Sequence, residues 1–146
     1  MIKKHQTGFT LVEILVAVLV LSVGILGLVG LESLAMQSNQ EAYFRSQATL
    51  LSYELADRMR ANPSTDYSTV TPASHGCVSY TGAATSCSSL QVAEEDVLNW
   101  QAAIAEKLPA GTGSISASGS LLSVNVLWDS NRNGSPDQTF SIKVEL

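Results

Sequence analysis

Apolar residues run almost unbroken from Phe9 to Leu31, thin into a one-sided stripe, and later alternate with polar ones. Each pattern predicts a different element. A helix crosses about 30 Å of hydrocarbon with roughly 20 apolar residues, so Phe9–Leu31 predicts a membrane-spanning helix. Beyond it, Phe44, Ala48, Leu51, Leu55 and Met59 recur at spacings of four, three, four and four, which is one face of a helix. Glu41/Arg45 and Glu54/Arg58 stand four residues apart with the acid first, the better orientation for a helical pair. Asn62-Pro63 ends the pattern, because the residue before a proline avoids the α region. The two patterns join into one helix of about fifty residues, Phe9 to near Ala61. Gly24, Gly27 and Gly30 lie in its apolar half, where they admit either close helix packing or local unwinding.

The rest predicts an α+β head. Pro63–Gln91 reads as a long polar loop. Val92–Leu108 reads as a second helix, with Val97, Gln101, Ile104 and Leu108 in a stripe and Leu98 and Trp100 beside it. Glu94, Glu95 and Asp96 suit the positive end of that helix and Lys107 the negative end. Pro109 and Gly111 stop it. Gly113–Ser118 is a short strand. Leu122, Val124, Val126 and Trp128 alternate with Ser123, Asn125 and Leu127, and Phe140, Ile142, Val144 and Leu146 alternate with Ser141, Lys143 and Glu145. That is the period of a half-buried antiparallel strand. A helix laid on a small antiparallel sheet buries both apolar faces.

Charge and order at the N-terminus change the picture. Lys3, Lys4 and His5 precede Gly8, and the apolar run follows it. An ordinary secretion signal is cut beyond its apolar core. Here the candidate cut, between Gly8 and Phe9, lies before it, so processing removes residues 1–8 and keeps the apolar helix. Removing Lys3 and Lys4 takes the formal net charge from −5 to about −7, termini aside. An acidic chain with scattered arginines is poorly suited to nucleic acid, which is held through clustered Lys and Arg. The basic leader places the N-terminus in the cytoplasm and the head outside, in the periplasm of a Gram-negative cell. Glu13 is the only ionisable residue within the run. A carboxylate near the centre of a membrane helix costs about 2.5–3.5 kcal/mol. Two readings stand: Glu13 snorkels to the headgroups, or it pairs with the α-amino group that cleavage creates on Phe9.

Cys77 and Cys87 lie in a Ser/Thr/Gly/Ala-rich stretch. With His75 they fall short of a four-ligand zinc site, and their spacing is wider than a Cys-x-x-Cys redox motif. An oxidising compartment makes a structural disulfide the expectation. The loop Asp129-Ser130-Asn131-Arg132-Asn133-Gly134-Ser135-Pro136-Asp137 begins like a calcium loop, Asp-x-Asn-x-Asn-Gly. Its twelfth position is Phe140 rather than Glu, and Arg132 adds a repelling charge. A polar hairpin turn explains the same residues. No cofactor is therefore expected, with calcium at Asp129, Asn131, Asn133 and Asp137 kept as an alternative. No Gly-x-Ser-x-Gly elbow is present, and His75 would be the sole histidine after processing, so the chain does not read as an enzyme.

Gly8-Phe9-Thr10-Leu11-Val12-Glu13, between a basic leader and an apolar helix, resembles the class III signal of type IV pilins and type II secretion pseudopilins. The resemblance implies cleavage after Gly8 by a prepilin peptidase and N-methylation of Phe9. It also implies that Glu13 neutralises a neighbouring subunit's amino terminus during polymerisation. Arg58-Met59-Arg60-Ala61-Asn62-Pro63, Trp100 to Gly111 and Val124-x-Val126-x-Trp128-Asp129 extend the similarity to PilV-type minor pilins. Gly30 stands where many major pilins have a helix-bending proline, and the cysteines are not near the C-terminus; both fit a minor subunit. The implied fold is pilin-like. Its parts are a cleaved leader (1–8), a transmembrane and assembly half of the first helix (9–31) and a head (32–146). The head comprises the rest of that helix (32–61), a disulfide loop (62–91), a second helix (92–108) and strands (113–146). The implied role is to prime a type IV pilus or sit at its tip, among other minor pilins, the major pilin and the inner-membrane assembly machinery. A minor pseudopilin of type II secretion is the alternative. So is an adhesive or ligand-binding tip subunit, for which loop residues Tyr67 and Tyr80 are the hints.

Overall fold

The structure, a computed structural model, describes residues 8–77 and 86–145. The basic leader residues Lys3, Lys4 and His5, Tyr80 and the C-terminal Leu146 lie outside the described residues.

Helix α1 runs Leu11–Ala61. Thr10 starts it: its carbonyl accepts from Glu13 N at 3.1 Å and Ile14 N at 3.3 Å, and its Oγ1 accepts from Glu13 N at 3.3 Å. A threonine in this place satisfies a donor that the first turn would leave unpaired. The chain divides into two compact units, Met1–Gln40 and Glu41–Leu146, and α1 passes through the division. In the first unit every described residue of the apolar run is exposed.

The second unit has an amphipathic core. Phe44, Ala48, Leu51, Leu55 and Met59 of α1 are buried, and so are Ser52 and Ala56. Ser52 tolerates burial because its hydroxyl donates to the Ala48 carbonyl at 2.8 Å. Of the two helical ion pairs, Glu54–Arg58 forms at 2.6 Å, whereas no Glu41–Arg45 bridge is present among the described residues.

Helix α2 runs Ser89–Lys107, starting three residues ahead of Val92. Its start is a capping box: Gln91 N donates to Ser88 Oγ at 3.3 Å, and Ser88 N donates to Gln91 Oε1 at 2.9 Å. The Ser88-x-x-Gln91 pattern is the sequence signal that marks it, and it shortens the preceding loop to 62–88. The buried stripe of α2 is Ala93, Val97, Trp100 and Ile104, so Trp100 lies in the stripe rather than beside it. Gln101 sits at its edge and donates from Nε2 to the Gly113 carbonyl at 3.2 Å.

Strands β1 (Thr112–Ser118), β2 (Leu121–Trp128) and β3 (Gln138–Glu145) form an antiparallel meander in the order β1-β2-β3. Val124 faces Ile115 on one side and Ile142 on the other. Gly119, at φ +67, supplies the left-handed residue in the two-residue turn between β1 and β2. Leu122, Val124, Val126, Trp128 and Val144 join α1 and α2 in one core, with Ile115, Phe140 and Ile142 packed against it. Gly113 is a close-approach site: a Cβ there would lie 2.5 Å from the Trp100 ring. The architecture is an α+β pilin-like fold.

Candidate functional site: the N-terminal apolar segment and the head

At the start of α1, Gly8, Phe9 and Thr10 are exposed non-helical residues. Phe9, Glu13, Ala17 and Leu21 follow at helical spacing and share one side with Ile14 and Val18. Phe9 and Leu11 are each 79% exposed, and none of the other described residues covers the apolar segment. α1 is long and apolar enough at this end to cross a membrane. Glu13 sits in its first turn, where a negative charge suits the helix dipole. Its backbone N–H is used by Thr10, but its carboxylate has no hydrogen bond or ion pair among the described residues. The capping contact of Thr10 is therefore one-sided.

In the head, Glu94, Glu95 and Asp96 of α2 correct the sequence reading. The early helix start puts Glu94, Glu95 and Asp96 beyond the first turn, which holds no acid. They act as anchors instead. Asp96 Oδ1 accepts from Arg58 Nη1 at 3.1 Å, tying α2 to α1, and Asp96 Oδ2 accepts from the Tyr67 hydroxyl at 3.1 Å. Glu95 is buried, and its Oε2 accepts from the backbone N–H of Cys77 at 2.7 Å and of His75 at 3.3 Å. Glu94 meets His75 Nε2. These contacts hold the loop after α1 onto α2. Tyr67 is buried too, which removes it as a sign of an exposed binding patch.

The electrostatics follow from these contacts. Burial pushes the Tyr67 hydroxyl up to about 12, and the neighbouring Asp96 charge adds to the effect against Asn62 and Arg58. Burial by itself pulls the Arg58 guanidinium down, but Glu54 and Asp96 together hold it above its ordinary value. The hydroxyl and backbone N–H of Ser68 hold Asp66 below the usual carboxylate range. The loop carries a disulfide as well: Cys77 and Cys87 are bonded, with Cα atoms 5.8 Å apart.

The 129–137 loop joins β2 to β3. Asp129 N donates to the Pro109 carbonyl at 2.9 Å, and Asp137 N donates to the Trp128 carbonyl at 3.0 Å. Asp129 is 2% exposed. Its Oδ1 and the neighbouring Trp128 Nε1 are buried without hydrogen-bond partners among the described residues. An unsatisfied buried polar atom costs about 1–3 kcal/mol, more when charged.

Family models match two consecutive parts of the chain. Residues 3–29 match the prokaryotic N-terminal methylation motif. Residues 30–98 match the family described as type IV pilin Tt1218, which spans the rest of α1, the disulfide loop and the first half of α2. The sheet and the 129–137 loop lie beyond both matches. No curated protein and no solved structure matches the chain.

Proposed function

Because the chain is a type IV pilin-like protein, we propose that it is a minor pilin that primes a type IV pilus or takes its place at the tip. Prepilin peptidase cuts after Gly8 and leaves Phe9 as the methylated first residue. The head stands on the periplasmic side of the inner membrane until the subunit enters the pilus. Its neighbours there are other minor pilins, the major pilin and the inner-membrane assembly machinery. Glu13 carries the reading: an exposed carboxylate without a partner among the described residues, in the first turn of α1 where the helix is otherwise apolar up to Leu31, inside the methylation-motif match. The charged amine of an adjacent subunit's Phe9 suits it. Opposite charges attract strongly where water is excluded, and meeting one another offsets two desolvation costs. Gly30 and the Cys77–Cys87 position support a minor subunit rather than the filament bulk.

The test compares Glu13→Ala and Glu13→Gln with the native chain in sheared pili and in membranes. Processing and membrane content stay unchanged, while the pilus-to-membrane ratio and pilus number fall. An unchanged ratio with normal piliation makes Glu13 a bystander. Recovery of the subunit only with a secretion pseudopilus, and never with pili, favours the type II secretion alternative.

A further inference from the structure

The β2–β3 loop holds four oxygen-bearing side chains whose oxygens turn back onto the loop. Asp129 Oδ2 accepts from Gly134 N at 2.6 Å, which turns this buried carboxylate toward the middle of the loop. Asn131 Oδ1 accepts from Asn133 N at 3.0 Å, and Asn133 Oδ1 accepts from Ser135 N at 2.9 Å. Asp137 closes the loop, accepting from Ser130 N and Asn131 Nδ2, each at 2.7 Å. Arg132 at φ +59 and Gly134 at φ +91 provide the left-handed bends. A turn alone accounts for these contacts. It does not account for Asp129 Oδ1, a buried carboxylate oxygen that no donor reaches among the described residues. A buried charge needs a paired charge or a metal.

We propose that the 129–137 loop is a calcium site, with Asp129, Asn131, Asn133 and Asp137 as side-chain ligands. Their spacing places oxygens at the first, third, fifth and ninth positions and glycine at the sixth. Each amide or carboxylate oxygen that accepts one N–H keeps a lone pair for a cation. Asp129 Oδ1 is the free oxygen that anchors the ion from the protein side. The donor set is all oxygen, which suits a hard cation. An irregular loop with carboxylates at both ends suits calcium's adaptable shell better than magnesium's rigid octahedron. Phe140 in place of a twelfth-position glutamate and the Arg132 charge both weaken the site. Its affinity belongs with extracellular modules, about 10⁻⁴–10⁻³ M. The bound ion neutralises the Asp129 charge where β2 leaves the core and stiffens the β2–β3 connection.

The experiment is thermal unfolding of the full chain in detergent, titrated with calcium and separately with magnesium to about 10 mM, above the expected dissociation constant. Calcium raises the midpoint in a saturable way and magnesium does not. Asp137→Asn, at an exposed position, folds and loses most of the shift. Asp129→Asn also loses it; should that variant fail to fold, Asp137→Asn and Asn133→Ala carry the test. Arg132→Asn tolerates the left-handed backbone, removes the charge, and moves the half-saturation point to several-fold lower calcium. No calcium shift in the native chain overturns the proposal. So does an equal shift with magnesium, or one that survives unchanged in Asp137→Asn.

Discussion

Trp100 donates its indole N–H to the Leu51 carbonyl at 3.0 Å, joining α2 to α1 across 49 residues inside the core. The ring lies against Gly113 of β1, so one side chain meets both helices and the sheet. Trp100→Phe keeps most of the ring and loses the bond, and is expected to cost about 1 kcal/mol. Trp100→Ala adds a cavity, for about 3–5 kcal/mol. Denaturant unfolding of the two variants measures both. Equal costs would mean that the hydrogen bond carries the whole effect.

Tyr67 gives the head an alkaline limit. The ordinary value of 10.0 applies to the unfolded chain, and burial raises the folded value to about 12. Between these values the folded state holds a proton that the unfolded state releases. Stability is therefore full below about pH 10 and falls as pH rises toward about 12. Spectrophotometric titration should show one tyrosine lagging behind the others. In Asp96→Asn the lag should shrink but persist, because burial is the larger cause. In Tyr67→Phe it should vanish.

Cys77→Ser removes a cross-link between positions ten apart, worth up to about 3 kcal/mol in the chain-entropy model for a loop of about 15 residues. Hydrogen exchange should speed up between Asn62 and Cys77 and leave α1 and the strands little changed. Glu95 still holds the backbone N–H groups of His75 and Cys77, so the loop loosens without detaching. Uniformly faster exchange across the head would show that the disulfide supports the core itself.

Gly8→Arg should leave an unprocessed membrane protein, because a long side chain cannot occupy a place that accepts glycine. N-terminal mass spectrometry of the native chain should find methylated Phe9 first and Met1–Gly8 gone. A mature start beyond residue 25 would contradict the pilin-type processing.

Much of this protein is legible in one dimension. The order of leader, Gly8, Phe9, Glu13 and apolar run is a local signal of contiguous residues, and the methylation-motif match covers it. The stripe from Phe44 to Met59 and the alternation from Leu122 to Trp128 announce their elements, because periodicity records which face of a helix or strand avoids water. What periodicity leaves out is the polar partner opposite. Glu94, Glu95 and Asp96 look like charges placed for a helix end. Only the fold brings Asp96 to Arg58, 38 residues away, and Glu95 to the backbone of Cys77. Tyr67 looks like a loop tyrosine and is buried because that loop lies on α2. The buried oxygen of Asp129 is likewise decided in three dimensions, where β2 leaves the core and its last carboxylate goes with it. Sequence spacing determines which side chains share a face; how the elements cross determines which of them meet.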